Sequence, residues 1–312
     1  MLTEKLPELF GLSGNFSLTE LGSGHINRTF LVTAADGCRY ILQSLNSDIF
    51  RSPEKVMENI SAAEAALAGC QDIKIPHYLR SGGRNYIRSG DDIWRMYAYC
   101  ESSGKADLRS AGYAYGSFIR VLSSSGIAPE PVIDGYHDFA AYMKKLSNVC
   151  PQGKLPQQIT ELAELSAEEL PTRVIHGDAK LDNIIISSPC TVIDLDTIMT
   201  APAAIDYGDL IRSVCTGGIS LAAVRDVTEG FADGLAGMLS AAEVSSLYSG
   251  ILLVTGELAV RYLTDYYSSE RYFRNKTREQ CLSRSSELLR QLEEFKAAET
   301  GIRSIISTSF KA

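Results

Sequence analysis

Apolar and polar residues alternate along the first third of the chain, whereas later apolar residues recur at helical spacing. Alternation with a period of two is typical of half-buried strands, and apolar residues three or four apart are typical of amphipathic helices. The predicted strands are 16–21, 30–32, 38–42, 73–79, 86–88 and 94–99. The predicted helices are 53–67, 111–122, 136–146, 159–170, 221–239, 241–267 and 277–298. A sheet-rich part followed by a helical part predicts an α+β fold.

One polar stretch, residues 176–183, reads His-Gly-Asp-Ala-Lys-Leu-Asp-Asn. It is followed by two β-branched runs joined by Ser-Ser-Pro-Cys, residues 184–194, a pattern typical of a β-hairpin. Antiparallel pairing would bring Asn183, where the first strand begins, beside Asp194, where the second ends. Asp178 lies on the loop just ahead. We therefore expect three oxygen-bearing side chains to converge on one spot.

This arrangement suits phosphoryl transfer from a magnesium nucleotide. Mg²⁺ prefers oxygen ligands and keeps part of its coordination shell for water and phosphate, so Asn183 and Asp194 are sufficient as protein ligands. A carboxylate held off the metal, that of Asp178, can orient a substrate hydroxyl and accept its proton. The sequence therefore predicts Asp178 as the catalytic base, with ATP and Mg²⁺ as cofactors.

The order of these three residues resembles that of the protein-kinase catalytic loop and its metal-binding Asp. His-Gly-Asp stands where a protein kinase has His-Arg-Asp, and no Phe-Gly follows Asp194. The motif is similar to that of the aminoglycoside phosphotransferase and choline kinase superfamily. This resemblance implies a two-lobed, protein-kinase-like fold. A small antiparallel-sheet lobe that binds nucleotide would span 1–99, and a mainly helical lobe for catalysis and substrate binding would span 100–312. The resemblance also implies that Asp206 anchors the catalytic loop and caps a helix.

The nucleotide would lie beneath the glycine turn Gly22-Ser23-Gly24, whose backbone N–H groups can fold over a phosphate. Backbone groups of Tyr97 and Tyr99, at the end of the last strand of the small lobe, would face adenine. A Walker A loop is absent from the sequence, which excludes the P-loop kinases.

Gln43 stands where the kinase pattern expects a phosphate-binding Lys. A neutral amide binds phosphate more weakly than a cation does, which corresponds to about a tenfold loss of ATP affinity. Glu58 or Glu64 on the next helix could meet Gln43. The nucleotide site is either degraded or binds phosphate differently. We favour the second interpretation because the base and both metal ligands are intact.

Four stretches resemble the N-acetylhexosamine 1-kinase group of this superfamily, including the Gln in place of Lys; they are 21–27, 40–46, 56–60 and 257–267. The resemblance implies ATP-dependent phosphorylation of the anomeric hydroxyl of an N-acetylated hexosamine. His25 and Asn27 would then contact substrate from the loop over the phosphates. His137 also resembles a residue of this group, and we interpret it as structural.

Three further residues are candidates for substrate binding in the helical lobe. Arg261 and Asp265 lie four apart, hence on one face of a helix, and would form either a simple ion pair or a sugar contact. Arg212 would either pair with a carboxylate or reach the substrate.

The formal charge of −8 over 312 residues argues against a nucleic-acid partner. The N-terminus lacks a signal pattern, and no apolar run approaches the roughly twenty residues that span a bilayer. We expect a cytoplasmic enzyme with a small-molecule substrate and no membrane partner. Two alternatives stay open: a kinase of an aminoglycoside or choline, and a nucleotide-binding regulator without turnover.

Overall fold

Five antiparallel strands form one sheet in the N-terminal part of the chain, and the C-terminal part is mainly helical. The computed structural model describes residues 3–21, 27–102, 104, 107–165, 169–273 and 275–311. The strands are β1 (Phe16–Leu21), β2 (Arg28–Ala34), β3 (Arg39–Leu45), β4 (Ile87–Ser89) and β5 (Asp92–Ala98), in the spatial order β1-β2-β3-β5-β4. Helix α1 (Leu6–Leu9) precedes the sheet, and α2 (Pro53–Ala66) lies between β3 and β4 in the chain. The predicted α+β fold class is confirmed, whereas the lobe boundary at 99 stays a prediction.

The two faces of the sheet pack against different partners because successive side chains of a strand point to opposite sides. The outer face forms a small core with the α1 region, made of Leu6, Phe10, Phe30, Val32, Leu42, Trp94 and Met96. On the inner face, Leu45 of β3 and Ile93 of β5 join α2 and the helical region in one larger core. Gln43 and Arg95 lie two positions from these residues and therefore share the inner face.

Short strands and a set of helices build the C-terminal region. Its helices are α3 (Leu108–Ser124), α4 (Phe139–Val149), α5 (Gln157–Leu165), α6 (Ala204–Val214), α7 (Leu221–Leu235), α8 (Ala241–Tyr267), α9 (Arg278–Ala297) and α10 (Glu299–Ser309). Its strands are β6 (Arg173–Ile175), β7 (Ile184–Ile185), β8 (Thr191–Val192) and β9 (Met199–Ala201). Antiparallel pairing joins β6 to β9 and β7 to β8.

Residues 73–79, predicted as a strand, form only isolated bridges, at Lys74 and Tyr78. Pro76 in this run has no N–H to donate, so a regular ladder cannot continue through it. Four elements, α1, β6, β9 and α10, were not predicted. Ala298, the N-cap residue of α10, makes no side-chain cap, so this helix lacks a start signal in the sequence.

Helix α8 is long and apolar enough to cross a membrane by length and composition, contrary to the expectation that no such run exists. However, 72% of its most apolar window is buried inside the protein. The helix packs against α4, α6 and α9. The apolar residues of α8 therefore form part of the core of this fold.

Candidate active site

A buried carboxylate from α6 fixes the loop 176–183, which follows β6. Asp206 accepts hydrogen bonds from the backbone N–H groups of His176 at 2.7 Å and Gly177 at 2.8 Å. The predicted anchoring of the loop by Asp206 is thus confirmed. The predicted capping is wrong, because Asp206 lies inside the first turn and Ala203 occupies the N-cap position.

Only glycine fits at position 177. Its φ is +81°, in the left-handed region that other residues rarely adopt. A Cβ atom there would lie 2.5 Å from the carbonyl oxygen of Thr197. The His-Gly-Asp motif therefore needs its Gly for both conformation and space.

The ring of His176 connects Asp178 to the residue that precedes Asp194. The ring is fully buried, and its Nε2 donates to the carbonyl oxygen of Ile193 at 2.9 Å. Its Nδ1 accepts from the backbone N–H of Asp178 at 3.2 Å. A ring with its proton on Nε2 satisfies both contacts, since Nδ1 then accepts. His176 lies in the motif, but no role was predicted for it.

The predicted hairpin is confirmed. Ile184 pairs with Val192, and the Ile193 N–H donates to the Asn183 carbonyl at 2.9 Å. This pairing brings Asn183 and Asp194 to the same end of the ribbon. The Asn183 Nδ2 donates to the Asp178 carbonyl at 2.8 Å and to Asp178 Oδ2 at 3.0 Å. In the part of the chain that the structure describes, no donor reaches Asn183 Oδ1, so this oxygen is left for a ligand.

Asp194 has the properties expected of a metal ligand. Asp194 has a left-handed backbone conformation, with φ +60°, and is exposed to solvent. No hydrogen-bond donor from the described residues contacts its carboxylate. Partial removal from water in the site, with the charges of Asp196 and Asp178, raises the pKa of Asp194 to about 6. A nearby cation would relieve this repulsion.

The donor set therefore fits Mg²⁺, which needs few protein oxygens because water and phosphate complete its shell. One carboxylate and one amide oxygen are available, and neither is used internally. Among the described residues there is no group of three or more His, Cys, Asp or Glu side chains that could hold a metal ion by itself.

Asp178 is paired with a lysine that the sequence analysis did not single out. Lys180 Nζ lies 2.7 Å from Asp178 Oδ2. Burial alone would raise the pKa of Asp178, but the Lys180 charge and hydrogen bond lower it below its ordinary value. The carboxylate is therefore ionised and able to accept a proton. Lys180 lies two residues after Asp178 in the same loop, and this spacing could have indicated the ion pair.

The nucleotide-binding residues stay predictions. Gly22, Ser23 and Gly24, and the predicted substrate residue His25, lie outside the described residues. Gln43 bonds neither Glu58 nor Glu64; its amide bonds Thr29 and Arg95 instead. Glu64 pairs with Arg80.

Tyr97 lies near the end of β5, and Tyr99, predicted as the last residue of this strand, follows its end at Ala98. The Tyr99 N–H donates to the Arg39 carbonyl at 3.0 Å, and the N–H of the intervening Ala98 donates to His77. Adenine contacts through these two N–H groups are therefore unavailable. A contact through backbone carbonyls of this segment stays a prediction.

Two of the predicted substrate residues, Asn27 and Arg212, bond carboxylates within the protein. Asn27 Nδ2 donates to Asp196 Oδ2 at 2.7 Å. Arg212 is buried, and its Nε and Nη2 donate to Asp209 Oδ1 at 2.9 and 2.6 Å. Of the two alternatives for Arg212, pairing with a carboxylate is the one observed.

Asp265 is buried and holds the segment that follows α8. Its two oxygens accept the backbone N–H groups of Tyr272 at 3.0 Å and Phe273 at 2.7 Å. Its observed contacts thus shape an aromatic segment, and a direct substrate contact by Asp265 stays a prediction.

Arg261 lies within a cluster of aromatic rings. Its guanidinium carbon is 4.7 Å from the ring centre of Tyr272, 5.4 Å from Tyr142, 5.5 Å from Tyr136 and 5.6 Å from Phe273. The ion pair with Asp265, one of the two alternatives, is not observed, and the nearest described carboxylate oxygen, from Glu257, is 3.8 Å away. No hydrogen-bond acceptor from the described residues bonds the guanidinium. We call these four rings and Arg261 the aromatic cluster.

His137 joins the aromatic cluster to the catalytic loop. Its Nδ1 donates to Glu257 Oε2 at 3.0 Å, and its Nε2 donates to the Gly177 carbonyl at 2.7 Å. Burial alone would lower the pKa of His137, but the Glu257 carboxylate outweighs it and raises the pKa to about 9. The ring is therefore a buried cation with both nitrogens engaged, in agreement with our structural interpretation. Its neighbour Tyr136 belongs to the aromatic cluster.

The fold and this site define a small-molecule kinase of the two-lobed, protein-kinase-like class. Residues 17–240 match APH, described as the phosphotransferase enzyme family. Because the match covers more than half of the chain, the protein belongs to this family, within the aminoglycoside phosphotransferase and choline kinase superfamily. It is an ATP-dependent small-molecule phosphotransferase.

Solved structures of kinases with different acceptors share the fold. An amicoumacin kinase, hAmiN, in complex with AMP-PNP, Ca²⁺ and Ami has a TM-score of 0.68 at 14% identity, covering 97% of this chain and 95% of that one. An aminoglycoside phosphotransferase from Alicyclobacillus acidocaldarius has a TM-score of 0.66 at 14% identity, covering 99% and 97%. A choline kinase from Cryptosporidium parvum has a TM-score of 0.57 at 10% identity, covering 95% and 94%. At these identities the likeness establishes the fold alone.

We expect Gly177→Ala to destabilise the protein more than Gly37→Ala does. Both positions have positive φ, +81° and +85°, so both variants carry strain of about 1–3 kcal/mol. Only Gly177 has a backbone oxygen, that of Thr197, within 3 Å of the new Cβ, whereas Gly37 has open space. Urea unfolding of both variants measures the difference. Equal losses would show that the contact with Thr197 does not constrain the loop.

The pair of His137 and Glu257 should make stability depend on pH. The pKa of His137 is raised from 6.5 to about 9 on folding. The contribution of this group to the free energy of unfolding is therefore fully present below pH 6.5 and is lost as pH rises through 9. The full difference corresponds to roughly 3 kcal/mol. Comparing urea unfolding of the wild type with that of His137→Gln from pH 6 to 9.5 isolates this contribution from other titrating groups. A difference in stability that does not change over this range would contradict the ionised pair.

Proposed function

We propose that this kinase transfers the γ-phosphoryl group of ATP, with Mg²⁺, to the anomeric hydroxyl of an N-acetylhexosamine. The resemblance of four stretches to the N-acetylhexosamine 1-kinase group supports this choice, and one of them contains Arg261. The chemistry of the aromatic cluster is the observation that carries the proposal.

Arg261 offers unused hydrogen-bond donors beside the catalytic loop. Its side chain is only 12% exposed, and the nearest carboxylate oxygen, at 3.8 Å, is beyond hydrogen-bond distance. Guanidinium N–H groups without a protein acceptor can bind a ligand that supplies acceptor oxygens. An acetamido carbonyl and sugar hydroxyls are such acceptors, and aromatic rings offer flat apolar surfaces to the sugar ring.

The position of Arg261 disfavours a cationic acceptor. Aromatic rings can hold a cation such as choline, but here they already surround the guanidinium of Arg261. A second cation on these rings would be repelled by that guanidinium, whereas a neutral sugar would not. A neutral acceptor is therefore favoured over choline and the aminoglycosides.

The roles in the reaction follow from the contacts of the loop. Asp178, kept ionised by Lys180, orients the acceptor hydroxyl and takes its proton as the bond from oxygen to the γ-phosphorus forms and the bond to the β-phosphate oxygen breaks. Asn183 and Asp194 would hold Mg²⁺, which when bound neutralises phosphate charge. The glycine turn would cover the phosphates.

A panel of acceptors tests the proposal. Purified protein with ATP and Mg²⁺ should release ADP on addition of N-acetylglucosamine or N-acetylgalactosamine. The methyl glycosides of the same sugars should give no signal, because their anomeric oxygen carries no proton to remove. Phosphorylation of choline or an aminoglycoside would instead identify the other class of acceptor. Binding of ATP without turnover of any acceptor would identify a regulator.

Asp178→Asn is the control for chemistry in this assay. Removing a general base lowers turnover by about 10² to 10⁴. The affinity for ATP, measured by calorimetry, should be nearly unchanged because the metal ligands are kept. Full turnover by this variant would remove Asp178 from its proposed role.

Arg261→Gln should weaken binding of the acceptor and leave ATP binding unchanged. The loss of charged donors to the acceptor is expected to raise the acceptor KM by about tenfold or more. Arg303→Gln is the matched control, because Arg303 lies 4.4 Å from the Tyr248 ring centre in a cation–π contact on α10. Steady-state kinetics with each substrate varied in turn separates the two effects. An unchanged acceptor KM would contradict a substrate contact at Arg261.

A further inference from the structure

Three side chains form a hydrogen-bonded row on the inner face of the sheet. Thr29, Gln43 and Arg95 are direct neighbours across β2, β3 and β5, so they stand side by side. Gln43 Nε2 donates to Thr29 Oγ1 at 3.0 Å. Gln43 Oε1 accepts from Arg95 Nε at 3.0 Å and from Nη2 at 2.7 Å. The amide is therefore fixed with its oxygen toward Arg95. One N–H of Gln43 Nε2 is not used by any described residue.

Arg95 also forms a buried ion pair with Asp196, two residues after Asp194. Asp196 Oδ1 accepts from Arg95 Nη1, and Asp196 Oδ2 accepts from Nη2 at 3.1 Å. The two side chains are 1% and 5% exposed. Asn27, which immediately precedes β2, donates to the same carboxylate at 2.7 Å. This one carboxylate thus connects the sheet, the residue before β2 and the segment that carries Asp194.

The usual kinase arrangement pairs a Lys at the position of Gln43 with a Glu of the following helix. Here that Lys is absent, and Glu58 and Glu64 do not contact Gln43. The pair of Arg95 and Asp196 has the same charge balance, with one cation and one anion, but the cation lies one strand further along the sheet. A bidentate Arg is also more rigid than Lys, because its planar fork fixes two hydrogen bonds.

We propose that Arg95 and Asp196 are the positioning ion pair of the nucleotide site, and that they hold the Gln43 amide so that its unused N–H donates to a phosphate of ATP. The pair also fixes Asn27 and the segment after Asp194 with respect to each other. Gln43 thereby replaces Lys as the group that touches phosphate, while the charge behind it comes from Arg95. The inference rests on the proposed function in that phosphate must lie beside the inner face of the sheet.

Calorimetric titration with ATP, with and without Mg²⁺, tests this without any acceptor. We expect Arg95→Gln to raise the Kd for ATP about tenfold, the value of one charge-assisted hydrogen bond. The KM for ATP should rise in parallel, whereas the KM for the acceptor should not. Arg120→Gln is the matched control, since Arg120 binds Asp72 at 2.6 Å in another ion pair between the helical region and the segment before β4. It should bind ATP like the wild type.

A charge exchange supplies the decisive variant. Gln43→Lys combined with Arg95→Gln returns the cation to β3 and should restore the Kd to within about threefold of the wild type. Melting temperatures show whether each variant folds. If Arg95→Gln does not fold, Arg95→Lys replaces it, because Lys keeps the charge but cannot form the two parallel hydrogen bonds of a guanidinium. For Arg95→Lys we expect weaker ATP binding at a nearly unchanged melting temperature.

The proposal is overturned if the Arg95 variants bind ATP as tightly as Arg120→Gln, or if the charge exchange restores nothing. A failure of the proposed acceptor looks different: no N-acetylhexosamine is phosphorylated, while the order of the ATP affinities still holds. If the wild type does not bind ATP, both the proposal and the proposed function fail.

Discussion

The buried carboxylate of Asp206 is the constraint on which the rest of the site depends. A charge removed from water is costly unless hydrogen bonds replace its hydration, and burial raises the pKa of Asp206 accordingly. The N–H groups of His176 and Gly177 supply these bonds and are thereby fixed themselves. The left-handed turn at Gly177 then brings the chain past Thr197, whose hydroxyl donates to the His176 carbonyl at 2.9 Å. Asp178 thus extends from a loop whose backbone has little freedom.

Buried ion pairs then set the positions of the groups around this loop. Such pairs add little net stability, because desolvation offsets their attraction, but losing one partner is severe. Their value here is positional: Arg95 joins the sheet to Asp196, and His137 joins Glu257 of α8 to the catalytic loop. Surface pairs such as that of Arg290 with Glu294 tie only neighbouring turns of one helix. The active site is therefore assembled by ionic contacts between distant segments and supported by apolar packing.

The sequence was sufficient for the features whose signals are local. The hairpin after Asn183 could be predicted because its two β-branched runs and its turn lie within a dozen residues. The partners of Gln43 could not, since Arg95 is 52 residues away and meets it only through the register of β3 with β5. A helix Glu was the wrong partner for the same reason: strand pairing places Thr29 and Arg95 on either side of Gln43, where they bond its amide. The need for glycine at 177 depends on the Thr197 carbonyl, which no sequence pattern locates.

The proposed choice of acceptor rests on the same use of buried charge. The rings that could bind an external cation already surround Arg261, and Asp265 holds two of those rings in place through backbone N–H groups. The region thus presents hydrogen-bond donors between aromatic surfaces. A second cation would meet the charge of Arg261, whereas an acetylated sugar would supply acceptors for its donors. The residues that would select the acceptor are therefore distinct from those of the catalytic loop.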